Sequence, residues 1–239
     1  MHHKYTIMRY NQIQPSALEE GVWDPSSFKA IFMAGAPASG KSTVRRRLFG
    51  HTDLKVVDAD EVRGYYMKMK ALEKIKSAGD YELYGARVRS LRATYMHQRL
   101  GLLLDTTAWW LPSVKETTQQ LQELGYDVGM VHVFVPLQQS LDRAKTRAET
   151  PGADYGRVVD EKEIIMRYDQ VKHNVRDFIE MFGNAYWFVE NSGSKEQLIR
   201  KCDDIWPEIR SWLAQPTHNP QAIDWIHAQL RSGQSPPQG

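Results

Sequence analysis

The sequence has very little cysteine and lacks a long apolar run. Cys202 is its only cysteine among 239 residues, so an internal disulfide is excluded. No apolar stretch approaches the length that spans a membrane, and the segment Met1 to Tyr5 lacks the apolar core of a signal peptide. These absences predict a cytoplasmic protein without a membrane partner. Cys202 shares helical spacing with Leu198 and Ile209, which predicts a core residue and not a nucleophile.

An excess of charge of either sign is also missing. The formal net charge is +2, and the charged and apolar fractions of 25% and 41% are typical of a globular protein. A charge so close to zero gives no general argument for nucleic-acid binding. Two local groups of arginines could face phosphate, although a solvated helix surface is the more common role of such residues. These groups are Arg45, Arg46 and Arg47, and Arg87, Arg89, Arg92 and Arg99.

What the sequence does contain is an alternation of short apolar runs with longer segments of helical period. This pattern is typical of an α/β fold in three layers, here a five-stranded parallel sheet with helices on both faces. The predicted strands are Lys29–Ala34, Leu54–Asp58, Gly101–Asp105, Val128–Val135 and Tyr186–Glu190. The predicted helices are Lys41–Leu48, Glu61–Ser77, Tyr81–Leu100, Pro112–Leu124, Leu137–Glu149, Glu161–Phe182, Lys195–Leu213 and Gln221–Arg231, the last docking through Ile223, Ile226 and Leu230.

A Walker A motif follows the first predicted strand. Two glycines separated by four residues precede a lysine and a serine, and a strand and a helix flank the segment as the motif requires. Such a loop folds its backbone N–H groups around a phosphate at a helix N-terminus. The sequence therefore predicts a P-loop fold that binds ATP, with Lys41 on the β and γ phosphates and Ser42 on Mg²⁺. The predicted phosphate-binding residues are Gly35, Ala36, Pro37, Ala38, Ser39, Gly40, Lys41, Ser42 and Thr43.

Three carboxylates follow the next two predicted strands. Side chains alternate along an extended chain, so Asp58 and Asp60 should point to the same side at the carboxyl edge of the sheet, where α/β sheets bind ligands. Asp60 is predicted to be the base that deprotonates an acceptor hydroxyl, and Asp58 is predicted to contact the acceptor. The alternative for one of these two aspartates is that it caps the following helix. Asp105 ends an apolar strand and is the predicted second Mg²⁺ residue, acting through a water, with a turn role as the alternative.

A basic segment between residues 137 and 160 suits a mobile lid. Guanidinium groups that fold over a triphosphate neutralise charge on the transferred phosphoryl group, whereas a plain basic helix surface is the alternative. The lid is predicted at about residues 140–160 and contains Arg147 and Arg157. The predicted organisation is an N-terminal arm (1–27), a P-loop kinase domain (28–215), and a C-terminal helix with a disordered tail (216–239).

Together these segments resemble the zeta toxin family of P-loop kinases, and more closely the zeta-like kinases of bacteriophages. The resemblance covers Phe28 to Asn191 and rests on the Walker loop, on Val57–Arg63, on Leu124–Val128 and on the lid arginines. It implies ATP-dependent transfer to a sugar hydroxyl of UDP-N-acetylglucosamine. It also implies that Asp60 is the base and that Arg147 and Arg157 are the catalytic lid residues.

The sequence departs from the family after Asp105, where Glu-Gly-Thr followed by an arginine is replaced by Asp105-Thr-Thr-Ala-Trp-Trp110. Trp109 and Arg63 at the acceptor edge could contact a nucleic-acid base, although packing is the more common role of such aromatics. Certain phage P-loop kinases phosphorylate 5-hydroxymethyluracil within DNA. A hydroxymethylated pyrimidine in phage DNA and a nucleotide sugar are thus the leading predicted acceptors, ahead of a polynucleotide 5′-hydroxyl. A nucleotide-gated binding or remodelling ATPase is the alternative from another class.

Overall fold

The computed structural model describes residues 26–62, 64, 78–150 and 160–232. None of the helices in these ranges is both long and apolar enough to cross a membrane. The chain order of the main elements is β1 (Lys29–Ala34), α1 (Lys41–Phe49), β2 (Lys55–Asp58), α2 (Ala78–His97), β3 (Leu102–Asp105), α3 (Leu111–Glu123), β4 (Asp127–Phe134), α4 (Leu137–Glu149), α5 (Glu161–Phe182), β5 (Tyr186–Glu190), α6 (Lys195–Ala214) and α7 (Pro220–Arg231).

The five strands form one parallel sheet in the order β2-β3-β1-β4-β5. Asp58 is in register with Asp105, and Met33 of β1 is in register with Asp105 as well. Because all strands are parallel, their carboxyl ends meet at one edge, and the loops that follow β1, β2 and β3 lie side by side there. The predicted α/β fold with a five-stranded parallel sheet is confirmed.

Two hydrophobic clusters cover the two faces of the sheet. Along β1, Phe32 packs into one cluster with Leu104 and Phe178, whereas Ile31 packs into the other with Leu48. Every residue of β1 is buried. Burial on both faces explains why the central strands have continuous apolar runs instead of alternating polarity. Cys202 is 1% exposed in the second cluster, so its predicted core role is confirmed.

Apart from the helix predicted at Glu61–Ser77, each predicted element bound lies within three residues of the observed bound, and about half of them coincide with it. The helix predicted at Glu61–Ser77 begins earlier, because residues 59–62 are already helical, and its remainder falls largely outside the described residues. Helix α2 ends at His97, and Arg99 takes a left-handed backbone with φ of 61° that turns the chain toward β3.

The docking face predicted for the last helix is wrong in part. Ile223 and Leu230 are 37% and 43% exposed, whereas Ala222 is fully buried. Trp225 packs edge-on against Phe28, with the ring centroids 5.5 Å apart. Of the three predicted docking residues, Ile226 packs against the core, and Ala222 and Trp225 pack there in place of Ile223 and Leu230. Residues 1–25 of the predicted arm (1–27) and residues 233–239 of the predicted disordered tail lie outside the described residues.

Candidate functional site

The Walker loop has two glycines whose backbone excludes other residues. Gly40 precedes α1 with φ of 92°, and Gly35 has φ of 146°. A Cβ atom added at Gly35 would lie 2.4 Å from the carbonyl oxygen of Val133. The first turn of α1 contains no acidic residue, so its N-terminal dipole and N–H groups favour an anion.

Two buried side chains from distant parts of the chain hold the loop in this shape. The Asn191 amide donates to the Ser39 carbonyl oxygen at 2.8 Å, and the Ser140 hydroxyl donates to the Pro37 carbonyl oxygen at 2.6 Å. Arg143 in turn donates to the Asn191 carbonyl oxygen at 2.9 Å. Neither Asn191 nor Ser140 is among the site residues predicted from the sequence. The only signal for Asn191 is its position directly after β5, at the carboxyl edge.

Lys41 lies over the loop that it follows. Its Nζ donates to the carbonyl oxygens of Gly35 and Ala36 at 2.8 and 3.2 Å. Desolvation of the ammonium lowers the pKa of Lys41, and the charges of Asp105, Asp60 and Asp58 oppose that shift in this order. The structure thus brings the predicted phosphate-binding lysine and the three predicted carboxylates into one electrostatic cluster.

The predicted geometry of Asp58 and Asp60 is wrong in one respect. The chain does not stay extended through Asp60, because β2 ends at Asp58 and a helical turn follows. The Asp58 carboxylate caps this turn by accepting the N–H groups of Asp60 at 2.7 Å and Glu61 at 3.4 Å. The capping alternative therefore describes Asp58. Asp60 is exposed on the turn, and its charge still acts on Lys41 and Asp105.

Arg45 links three carboxylates at the site. Its guanidinium lies 3.1 Å from an Asp58 oxygen, 2.7 Å from Glu61 and 3.4 Å from Asp105, and its side chain is 13% exposed. Both oxygens of Asp58 thus have protein partners. In the sequence, Arg45 stands beside two further arginines, and only its spacing of one helical turn from Lys41 distinguishes it from them. Arg45 balances negative charge that would otherwise be buried together.

Asp58 carries a proton more readily than an ordinary aspartate. Desolvation first, and the nearby Asp105 charge second, raise the pKa of Asp58 from 3.8 to about 6, against the opposing effects of the Asp60 N–H group and Arg45. The protonated carboxyl of Asp58 is therefore more favourable in the folded state than in the unfolded state. Its contribution to the free energy of unfolding is fully present below the unfolded pKa of 3.8 and is lost as the pH rises through the folded pKa of about 6.

We expect Asp58→Asn to remove this pH dependence. The amide oxygen still caps the turn, while the ionisation is gone. Relative to Asp58→Asn, the wild-type free energy of unfolding should fall by about 2 to 3 kcal/mol between about pH 4 and pH 7. Urea denaturation of both proteins across this range measures the difference. A parallel pH dependence in the two proteins would contradict the assignment, and Asp53→Asn, an exposed aspartate, is the control.

Asp105 has the chemistry of a Mg²⁺ ligand. Its side chain is 10% exposed, and burial raises its pKa, whereas Lys41 and Arg45 lower it. No group of three or more His, Cys, Asp or Glu side chains that could hold a metal occurs within the described ranges. Mg²⁺ at phosphates usually takes only one or two protein oxygens, with the rest from phosphate and water. The hydroxyl of Ser42 and the carboxylate of Asp105 fit this requirement, and their role stays a prediction.

A pocket of about 590 Å³ opens beside Asp105, on the sheet face opposite α1. Trp109 forms part of its wall, with the Arg167 guanidinium 5.5 Å from the ring centroid. Asn174 donates to the Trp109 carbonyl oxygen at 3.0 Å, which fixes this part of the loop. Among the described residues, those that line the pocket are Phe32, Val57, Ala59, Val88, Arg92, Leu104, Asp105, Thr106, Ala108, Trp109, Trp110, Ser113, Val114 and Thr117.

The described part of the predicted lid is helix α4. Its first turn is tied to the Walker loop through Ser140, whereas Arg147 lies exposed near its last turn. The charge of Arg147 acts on Lys41 and lowers its pKa, so Arg147 adds positive potential at the predicted phosphate-binding lysine. Arg157 of the predicted lid and Arg63 of the predicted acceptor site lie outside the described residues.

Three solved structures share this fold. A structure of the Pnkp1/Rnl/Hen1 RNA repair complex matches with a TM-score of 0.51 and 20% identity, over 63% of this chain and 46% of that chain. AvrRxo1-ORF1:-ORF2 with ATP matches with a TM-score of 0.58 and 14% identity, over 74% and 60%. AvrRxo1-ORF1:AvrRxo1-ORF2 with sulphate ions matches with a TM-score of 0.60 and 13% identity, over 93% and 70%. The chain spans less than two thirds of the first two chains.

A search of curated proteins gave no match. The model of one protein family, described as Zeta toxin, matches residues 19–201. That range is more than half of the chain and contains the Walker loop, the three carboxylates, the pocket and α4. The chain therefore belongs to the zeta toxin family.

Proposed function

We propose that this protein is an ATP-dependent kinase that transfers the γ-phosphate to a hydroxyl of a nucleotide-linked acceptor. The observation that carries the proposal is the position of Lys41 among Asp58, Asp60 and Asp105, at the edge where a large pocket opens. Membership of the zeta toxin family supports the same reaction class. A purely structural protein would have no use for a phosphate loop braced from two distant segments.

The phosphate side uses the Walker loop and α1. The N–H groups at the N-terminus of α1 bind the phosphate oxygens, and Lys41 exchanges its bonds to two loop carbonyls for bonds to the β and γ phosphates. Bound through Ser42 and Asp105, Mg²⁺ would neutralise charge on the phosphate oxygens. Arg147 adds positive charge from α4 as the phosphoryl group moves.

The acceptor side uses Asp60. Its carboxylate takes the proton of the acceptor hydroxyl as that oxygen bonds to the γ-phosphorus, and the bond from phosphorus to the leaving oxygen of ADP breaks. Asp58 holds the turn that carries Asp60, and Arg45 holds Asp58. Asp58 is therefore better suited to positioning Asp60 than to contacting the acceptor, because its oxygens are engaged within the protein.

The pocket supports an acceptor that contains a planar ring. Trp109 offers a ring wall next to Asp105, and Trp110 is 56% exposed beside it at a centroid distance of 5.8 Å. A hydroxymethylated pyrimidine in phage DNA combines such a ring with a primary hydroxyl. A UDP-sugar is the second candidate, and family membership favours it.

A labelling experiment tests the proposal. Purified protein receives γ-labelled ATP and Mg²⁺ with UDP-N-acetylglucosamine, free nucleosides, unmodified DNA and hydroxymethyluracil DNA in parallel reactions. We expect acceptor-dependent label in the DNA that contains hydroxymethyluracil, or else in the UDP-sugar. Release of labelled phosphate without any labelled acceptor would instead favour a hydrolysing ATPase, and the kinase proposal would be wrong.

A further inference from the structure

The pocket beside Asp105 contains an arginine that the phosphotransfer steps do not use. Arg92 extends from α2 and lines the pocket together with Thr117 of α3. Its Nη1 donates to the Thr117 hydroxyl oxygen at 3.1 Å. Arg92 is half-buried and Thr117 is 5% exposed, so this hydrogen bond fixes the guanidinium against the pocket wall.

The charge of Arg92 is only weakly balanced by its surroundings. Desolvation lowers the pKa of Arg92, the Glu116 charge opposes this shift, and the Arg89 charge adds to it. Among the residues whose side chains the structure describes (26–62, 64, 85–150 and 160–232), no carboxylate forms an ion pair with Arg92. Arginine nevertheless stays protonated in proteins, and the Thr117 hydroxyl is neutral. A half-buried cation beside a pocket of nucleotide size is suited to bind an anion.

We propose that Arg92 and Thr117 bind a phosphate group of the acceptor. The inference rests on the proposed function, because it takes the pocket beside Asp105 as the acceptor site. A guanidinium presents parallel N–H donors that match two phosphate oxygens, and the Thr117 hydroxyl can donate to a phosphate oxygen while accepting from Arg92. With Trp109 as the ring wall, the ligand class is a nucleoside phosphate rather than a free nucleoside or a neutral alcohol.

The phosphate group that Arg92 and Thr117 are proposed to bind can belong to either of the two leading acceptors. A nucleotide sugar brings a diphosphate, and a DNA strand brings the phosphodiester next to the modified base. Both leading acceptors also contain a uracil ring. Uridine 5′-monophosphate and uridine therefore form a suitable probe pair, because they differ only in the phosphate that Arg92 is proposed to bind.

Calorimetric titration of the two probes tests the subsite. The protein is first saturated with Mg²⁺ and a non-hydrolysable ATP analogue, so that the Walker loop is filled. We expect uridine 5′-monophosphate to bind at least about tenfold more tightly than uridine, as for a hydrogen-bonded charged pair. Arg92→Gln should reduce this preference to less than about twofold without changing uridine binding, and Arg92→Lys should keep part of it.

Two further variants keep the test decisive. Arg176→Gln removes an exposed arginine of α5, outside the pocket lining, and should leave the preference unchanged. Thr117→Val should weaken the monophosphate about threefold or more, and circular dichroism checks folding of each variant. Equal binding of the two probes by the wild type, or an unchanged preference in Arg92→Gln, would overturn the subsite.

Separate experiments identify the source of the phosphate and test the proposed kinase function. UDP-N-acetylglucosamine and a short hydroxymethyluracil oligonucleotide are titrated in the same way, and the source is the one that Arg92→Gln weakens. If neither accepts label from ATP while the Arg92-dependent preference persists, the kinase proposal fails and the phosphate subsite stands. If label is transferred equally well by the wild type and Arg92→Gln, the subsite fails and the kinase proposal stands.

Discussion

Replacement of Lys41 by alanine is expected to reduce phosphotransfer by about 100- to 1000-fold. The physical reason is the loss of the ammonium that the structure holds at 2.8 Å from the Gly35 carbonyl oxygen, within reach of a bound phosphate. In Lys41→Ala the negative charge of the β and γ phosphates loses its partner, while the loop carbonyls stay in place. Steady-state transfer with the identified acceptor measures the loss.

Nucleotide binding shows whether the loss has this cause. Lys41→Ala should bind ATP about 10- to 100-fold more weakly than the wild type, while its affinity for AMP, which lacks the β and γ phosphates, should not change. Lys115→Ala is the matched control, because Lys115 is an exposed lysine paired with Asp177 at 2.7 Å. If Lys41→Ala bound ATP and AMP like the wild type and still transferred phosphate, the Walker loop would not be the nucleotide site.

The fold and the phosphate loop could be predicted from the sequence because both follow local rules. A strand buried on both faces needs a continuous apolar run; β1 and β3 have one, and in β4 only His132 interrupts the run from Val128 to Phe134. The Walker motif is contiguous, so its residues are brought together by chain connectivity and by the backbone freedom of Gly35 and Gly40. Family resemblance through the same segments was confirmed by the match to residues 19–201.

The supports of the site could not be predicted, because they depend on contacts between distant segments. Asn191 reaches Ser39 across 152 positions of sequence, and Arg92 reaches Thr117 across 25. A single sequence assigns no partner to an isolated asparagine or arginine. The turn after Asp58 was misjudged for a different reason: an aspartate at a strand end can either extend the strand or cap a helix, and here the capping bonds decide.

The same turn makes Asp60→Asn a sharp test of the proposed base. The backbone N–H of Asp60, which donates to Asp58, is unchanged by the substitution, so the turn should persist. An amide cannot accept the hydroxyl proton, and transfer should therefore fall by about 100- to 10,000-fold. ATP affinity should stay within about twofold of the wild type, because the phosphates bind to the Walker loop and not to Asp60.

Comparison with neighbouring aspartates determines which carboxylate is the base. Asp53→Asn changes an exposed aspartate before β2 and should transfer phosphate like the wild type. Asp58→Asn keeps the cap and should retain more activity than Asp60→Asn, since it acts only through the position of the turn. Full activity in Asp60→Asn together with a large loss in Asp58→Asn would reverse the two roles. The base would then be the half-buried carboxylate beside Arg45, and the acceptor hydroxyl would have to enter deeper into the edge of the sheet than the exposed position of Asp60 requires.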